Sequence, residues 1–475
     1  MNDAIQFDVI VIGAGPGGYV AAIRCAQLGL RTGLVERSET FGGTCLNVGC
    51  IPSKALLDSS HRYFEITQRA EPHGIVVENV RLDLATMMAR KDQVVRTLAS
   101  GLASLFEANK VVTFRGHASL RSVSQVAVAA DDEAPQLLVA KHVVLATGSV
   151  PAQLPDLPFD HELVVDSTDA LCFDVVPHQL VVVGGGAVGL ELASVWARLG
   201  AKVTVVEMMD QLLPGCDRQV SRMLHRILTG QGIDVMTQSS VVNLEKVNGR
   251  GRVMVKSGQD KTTELSADKI LVAVGRRPFA LGLGLEDIGV VTEDKTGQIL
   301  VNDNFMTNIA GIYAVGDVVG APMLAHKAEA EGIAVAEIIA GKPGQVNYEA
   351  IPNVVYTAPE VAVVGKTQQQ LRNAGIQYEA GVFHFRSNGR ALAADSREGF
   401  VKILADRRTD RVLGVHIIGP WASDLIAEAV EVMEFGGSAE DIARTVHAHP
   451  TLSEVVGEAA MAVGNRSIHS VPRKP

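Results

Sequence analysis

The most specific chemistry in this chain lies in two sulfurs. Cys45 and Cys50 stand in the run GGTCLNVGCIPSK, with four residues between them. On a bent helix start this spacing lets the thiols meet, and the N–H groups of a helix N-terminus lower a thiol pKa toward neutrality. The chemistry expected of such a pair is dithiol–disulfide exchange. The same spacing would also suit a buried free-thiol pair, or a metal site without its other ligands; no metal is expected. Cys25, Cys172 and Cys216 have no partner in the pattern and read as packing residues. Five cysteines in 475 residues are too few for a disulfide scaffold.

A thiol exchange cycle needs a base near neutral pH, and histidine is the side chain tuned for it. The run HAHPTLSE supplies His447, His449, Pro450 and Glu454, with Glu454 placed to orient His449. A plainer reading is that Thr451 and Glu454 form a capping box at a helix start. Lys54 follows Cys50 by four residues, on the same helix face, where it could set a cation beside a cofactor. Glu191 could serve chemistry too, or only favour the first turn of a helix.

These residues need elements to position them, and an internal repeat supplies two. FDVIVIGAGPGG is an apolar strand, Phe7 to Ile12, followed by Gly13, Gly15 and Gly18 in the GxGxxG spacing. A helix then runs to Leu28 and Gly29, and a strand ends at Glu36, 18 residues after the third glycine. Such a fingerprint brings a pyrophosphate to a helix N-terminus and an acid to an adenosine ribose. LVVVGGGAVG repeats it with Gly184, Gly186 and Gly189, closing at Gly200 and Glu207. Gly13 to Gly184, Gly29 to Gly200 and Glu36 to Glu207 are each 171 residues apart. Two adenine-dinucleotide sites follow. Both acids favour a free ribose 2′-hydroxyl, and Glu207 would repel the extra phosphate of NADP.

Dithiols exchange by thiolate attack, whereas a nicotinamide trades hydride. A flavin does both, so the site beside the cysteines is expected to hold FAD and the second NAD. The fold class expected is α/β with two Rossmann-like dinucleotide-binding domains, a central region and a C-terminal α+β domain. The boundaries expected are 1–150 for the FAD domain, 151–280 for the NAD domain, 281–350 for the central region and 351–475 for the tail. Val143 to Ser149 reads as a strand returning to a glycine turn, and Ile270 to Gly275 echoes it. A helix opened by Pro322 and a linker near Gly344 to Pro352 precede the tail.

A net charge of −10 argues against nucleic acid as a partner. No apolar run approaches the roughly 20 residues needed to span a membrane. Met1 to Gln6 holds an acid and no basic run, so a cytoplasmic protein is expected.

With these blocks in place, the sequence resembles the class I FAD-dependent pyridine nucleotide-disulfide oxidoreductases, and among them the dihydrolipoamide dehydrogenase family. The resemblance covers essentially the whole chain, through GGTCLNVGCIPSKALL, ATGS, VGRRP, AVGDVVGAPMLAHKAEAEG and HAHPTLSE in family order. It implies oxidation of protein-bound dihydrolipoyl groups with NAD⁺ as acceptor, and a role in cell redox homeostasis. It casts Cys45 as the interchange thiol, Cys50 as the thiol against the flavin, and His449, held by Glu454, as a base from the partner subunit of a homodimer. Lys54 and Glu191 would pair beside the flavin. FAD would be lined by Gly13, Gly15, Gly18, Glu36, Lys54, Gly116 and His117. Thr147, Gly148, Ser149, Asp317, Met323, Leu324, Ala325 and His326 would complete that lining. NAD would be lined by Gly184, Gly186, Gly189, Glu191, Glu207, Val241 and Gly275. Ala118 departs from the glycine common in relatives, at a backbone contact to the flavin. The implied partners are lipoyl domains and the subunit-binding domain of 2-oxoacid dehydrogenase complexes, or lipoylated H-protein.

Glutathione and mercuric ion reductases look similar over the first two domains. The former should favour NADPH, which Glu207 disfavours. The latter carries a cysteine pair near its C-terminus, whereas the last cysteine here is Cys216. A flavoprotein subunit or sensor without turnover is the non-catalytic alternative.

Overall fold

The structure, a computed structural model, describes residues 5–130, 134–258 and 261–471; residues 1–4 of the N-terminal segment lie outside it. Two compact units divide the chain. One comprises Met1–Leu56, Asp83–Ala152 and Gly275–Val346, the other Leu57–Leu82, Gln153–Val274 and Asn347–Pro475.

The first unit is built on a sheet ordered Val112–Arg115, Thr32–Glu36, Ile5–Ile12, Gln136–Leu145, Gln125–Ala129 and His117–Ser122. Ile312–Ala314 adds to it in parallel against Gln136–Leu145, bringing a late segment into the first fingerprint's sheet. The strand Ile5–Ile12 is apolar almost throughout because a parallel sheet is covered on both faces. Val9, Ile10 and Val11 are fully buried, each stabilising the fold by roughly 1.5–3 kcal/mol relative to exposure. On one face the helix Pro16–Gln27 packs against Ala325–Ile339. Their approach is so close that a Cβ on Gly332 would lie 2.5 Å from the Gly17 carbonyl oxygen.

The second unit repeats the device. Its parallel sheet runs Asp234–Met236, Lys202–Val206, Gln179–Val183, Lys269–Val272 and Val164–Val165. The helix after the first fingerprint is Pro16–Gln27 and that after the second is Ala187–Arg198, so the 171-residue offset holds at both ends. A three-stranded antiparallel meander spans Ser239–Val247, Arg250–Ser257 and Thr262–Ala267. The tail forms a five-stranded antiparallel sheet, in the order Asn353–Val355, Glu360–Gly365, Val412–Gly419, Phe400–Asp406 and Tyr378–His384. Helices Ala422–Glu434 and Glu454–Val463 pack on it over Val415, Ile417, Val455 and Val456.

Candidate functional site

Each fingerprint folds into a cradle in which the three glycines have separate tasks. A Cβ on Gly13 would meet the Ala146 carbonyl oxygen at 2.4 Å, and one on Gly18 would meet the Gly13 oxygen at 1.8 Å. These two positions permit the turn and the helix–strand contact. Gly15 is different, because a Cβ there would find nothing nearer than the Cα of Gly43 at 4.0 Å. In the second cradle Gly184 and Gly189 are equally tight, at 2.4 Å and 2.2 Å, while Gly186 faces open space. Open room at a helix N-terminus is what a pyrophosphate requires.

The terminal acids are anchored alike. Glu36 accepts from the N–H groups of Ala14 (2.7 Å) and Ser38 (2.9 Å). Glu207 accepts from Gly185 (2.6 Å) and Met209 (2.7 Å), the positions 171 residues on. Both carboxylates are buried, and each oxygen keeps further acceptor capacity for a ribose hydroxyl. Both cradles therefore fit an adenine dinucleotide.

The thiols sit at a helix break. Cys45 lies in the short helix Gly43–Val48 and Cys50 opens the helix Cys50–Gln68, with Gly49 between them. Gly49 takes φ −141° and ψ −108°, and a Cβ there would lie 2.8 Å from the Thr44 oxygen. The two cysteines are joined by a side-chain hydrogen bond between their sulfurs. This segment is fixed to the first cradle: Gly42 N–H donates to Ala14 at 2.9 Å, and a Cβ on Gly43 would lie 2.6 Å from the Cα of Gly15.

The lowered thiol pKa expected from a helix start is not found at Cys45. Its hydrogen bond with Cys50, and then burial, push that thiol well above the ordinary range. The charges of Cys50 and Glu329 push the same way, and Lys54 opposes them. Glu329 is held by Tyr19, whose hydroxyl donates to it at 3.1 Å. Sequence reading did not single out Tyr19 or Glu329. Among the described residues, no group of three or more His, Cys, Asp or Glu could hold a metal ion.

Several residues of the expected FAD set meet in the first unit. Ser149 donates to Asp317 at 2.5 Å, and Thr147 donates to the Phe279 carbonyl at 2.5 Å. Gly148 between them has φ +72°, which favours glycine. Arg276, another residue not singled out, locks this corner by donating to the Ser149 hydroxyl and carbonyl, both at 2.7 Å. Gly116 has φ +141° and donates to the Glu36 carbonyl at 2.9 Å; His117 beside it is exposed. The helix expected to open at Pro322 begins instead at Ala325, with Leu324 extended at its N-cap and His326 in its first turn. Proline fixes only its own φ, so the chain turns first and enters the helix three residues later.

In the second unit His449 and Glu454 do meet. His449 Nδ1 lies 2.8 Å from Glu454 Oε1, and the imidazole side chain is 80% exposed. A carboxylate can only accept, so Nδ1 donates and Nε2 is left with the lone pair. Burial raises the Glu454 pKa, but the Thr451 N–H and His449 outweigh it and hold the carboxyl below its ordinary value. The expected capping box is half made. Thr451 N–H donates to Glu454 at 2.8 Å, yet the helix begins at Glu454 with Ser453 before it, and the Thr451 hydroxyl donates to Ala448 instead. His447 pairs with Glu428 at 2.9 Å.

Glu191 is buried in the second turn of Ala187–Arg198, not the first, and accepts from Tyr356 N–H at 3.0 Å. Val241 lies at a bulge in Ser239–Val247. Gly275 and Lys54 belong to the first unit and Glu191 to the second. Of the cysteines read as packing residues, Cys25 is buried in its helix, whereas Cys172 is exposed, because Phe173 and Leu171 on either side take the core positions.

Residues 7–332 match the model for the pyridine nucleotide-disulphide oxidoreductase family, and residues 351–460 match its dimerisation domain. Over 463 residues the chain is 49% identical to dihydrolipoyl dehydrogenase 1, mitochondrial, of Arabidopsis thaliana, covering 97% of this chain and 91% of that relative. It is 47% identical over 468 residues to the dihydrolipoyl dehydrogenase of Trypanosoma brucei brucei, covering 98% of each. A solved structure of LpdA from Mycobacterium tuberculosis matches with a TM-score of 0.88 at 26% identity, over 96% of this chain and 99% of that one.

Proposed function

Since the chain belongs to the pyridine nucleotide-disulphide oxidoreductase family, we propose that it works as a dihydrolipoyl dehydrogenase. It oxidises protein-bound dihydrolipoyl groups to the lipoyl disulfide, with FAD as resident cofactor and NAD⁺ as acceptor. Near-full-length identity to dihydrolipoyl dehydrogenases supports the activity. The observation that carries the site is the Cys45–Cys50 pair fixed against the first dinucleotide cradle.

When bound, FAD supplies a ring that takes electrons from sulfur and gives hydride to a nicotinamide. Gly13, Gly15, Gly18, Glu36 and the Thr147–Ser149/Asp317 corner hold it, while Gly184, Gly186, Gly189 and Glu207 hold NAD. The remaining chemistry belongs to side chains. A substrate thiolate attacks Sγ of Cys45 in the oxidised pair, forming a mixed disulfide and releasing Cys50 as thiolate. The substrate's second thiolate then displaces Cys45, so the substrate leaves as disulfide and the pair is left reduced by two electrons. His449 Nε2 takes the proton of the attacking thiol, and the ionised Glu454 stabilises the imidazolium that results. Lys54 favours the thiolate form of Cys45 against the surrounding acids.

His449 and Glu454 lie in the segment that matches a dimerisation domain. In this reading the protein is a homodimer, and the histidine of one subunit serves the thiol pair of the other. Lipoyl domains, a subunit-binding domain or lipoylated H-protein are its partners, and the net charge of −10 suits docking to a basic surface. A cytoplasmic placement belongs to the proposal, and cell fractionation tests it, since relatives are named as mitochondrial.

The test is NADH formation from dihydrolipoamide in wild type and His449→Gln. Turnover in the variant should fall by about 10²–10⁴-fold with flavin content unchanged. Unchanged turnover would remove the histidine from the mechanism, and a wild type that forms no NADH would remove the activity itself.

A further inference from the structure

We propose that the second unit carries a separate anion pocket, built from none of the cradle residues, which takes a compact polyphosphate chain, free or carried on a nucleoside. The cavity has a volume of about 510 Å³ and is lined by Arg218, Arg222, Arg226 and Arg372, with Asp217 and Gln368 among the other lining residues.

The first three arginines are four residues apart on the helix Arg218–Gly230 and share one face, while Val220, Leu224, Ile227 and Leu228 bury the other. Two successive like-charge pairs at this spacing weaken a helix, and Arg218 in its first turn also opposes the helix dipole. Acids within the fold offset this only at the first arginine. Arg218 pairs with Asp210 at 2.8 Å. Arg222 donates to its own helix, at the Arg218 carbonyl (3.2 Å), and Arg372 to the Tyr378 hydroxyl (3.0 Å). Among the described residues, no carboxylate pairs with Arg222, Arg226 or Arg372.

The one acid in the lining is already neutralised. Asp217 accepts from Gln219 N–H at 2.9 Å and from Lys402 at 2.8 Å, and both members of the ion pair are buried. Lys402 also donates to the carbonyl end of Gln368 at 2.6 Å, so the amide's remaining donors are its NH₂ group. A neutral wall thus backs a cluster of exposed cationic forks, in a chain whose net charge is −10.

Guanidinium forks match phosphate oxygens bidentately, and several in one cavity suit several phosphoryl groups. The volume is that of a small-molecule site, which favours a compact polyphosphate over an extended acidic peptide.

The test is calorimetric titration of the FAD-loaded protein, at physiological ionic strength, with inorganic tripolyphosphate, which lacks the adenosine that the cradles read. One saturable site per chain is expected. The double variant Arg222→Gln/Arg226→Gln should weaken it by about tenfold or more. Arg252→Gln, exposed on the strand Arg250–Ser257, should leave it unchanged. Retained dihydrolipoamide turnover shows that each variant is folded. ATP binding as tightly as tripolyphosphate at this site would assign a nucleotide, and tripolyphosphate binding more tightly would assign inorganic polyphosphate; both support the pocket. No saturable binding, equal loss in Arg252→Gln, or tighter binding of a hexaglutamate peptide would overturn it.

Discussion

Gly43 stands so close to Gly15 that a Cβ added to it would lie 2.6 Å from the Cα of Gly15, and its own φ is +58°. This contact ties the thiol segment to the open position of the first cradle, where a pyrophosphate approaches. Gly43→Ala adds an atom that meets only backbone, at Gly15 and Ala14, so the two loops must part. We expect a stability loss of about 1–3 kcal/mol and a lower ratio of flavin to protein absorbance after purification. Full flavin content with unchanged stability would show that the contact has no such role.

Glu36 and Glu207 occupy equivalent places, each receiving two backbone N–H groups of its own loop. Their variants should nonetheless fail differently. Glu36→Ala should lose flavin. Glu207→Ala should keep flavin and raise the KM for NAD⁺ by roughly tenfold or more, as loss of charge-assisted hydrogen bonds does. Measuring flavin content and KM in both variants checks the assignment, and the reverse pattern would exchange the two sites.

His416 is fully buried on the strand Val412–Gly419, with Nε2 at 3.1 Å from the Lys366 carbonyl and Nδ1 unpartnered. Burial lowers its pKa from 6.5 to about 4, with nearby Asp217 opposing the shift and Lys402 adding to it. The unfolded chain therefore binds a proton across this window that the folded chain does not. The stability involved is fully present above pH 6.5 and is lost as pH falls toward 4. Urea unfolding should show a loss of about 2 kcal/mol between about pH 7 and about pH 5 from this group. His416→Asn should lack that component, and an identical pH slope in the variant would contradict the assignment.

What could be read from the sequence is what local spacing specifies. The glycine fingerprints place the helices Pro16–Gln27 and Ala187–Arg198 in equal register because turn, helix and acid are consecutive in the chain. His449 and Glu454, five residues apart, are likewise legible. Long-range contacts leave no such trace. Tyr19 and Glu329 are 310 residues apart, and Ser149 and Asp317 are 168 apart. The raised Cys45 pKa is legible only in part: its largest cause, the hydrogen bond with Cys50, is close in sequence, but burial and Glu329 come from elsewhere in the fold.

In the proposed function Cys45 and Cys50 carry the electron pair from dihydrolipoyl groups to NAD⁺. Alkylation of the oxidised protein under anaerobic conditions, followed by peptide mapping, follows the pair through a turnover. Exposed Cys172 should label throughout and serves as an internal reference. Cys45 and Cys50 should be protected at first, become reactive after addition of dihydrolipoamide, and be protected again once excess NAD⁺ has formed NADH. NADH formation while neither cysteine changes its labelling would remove the pair from the electron path.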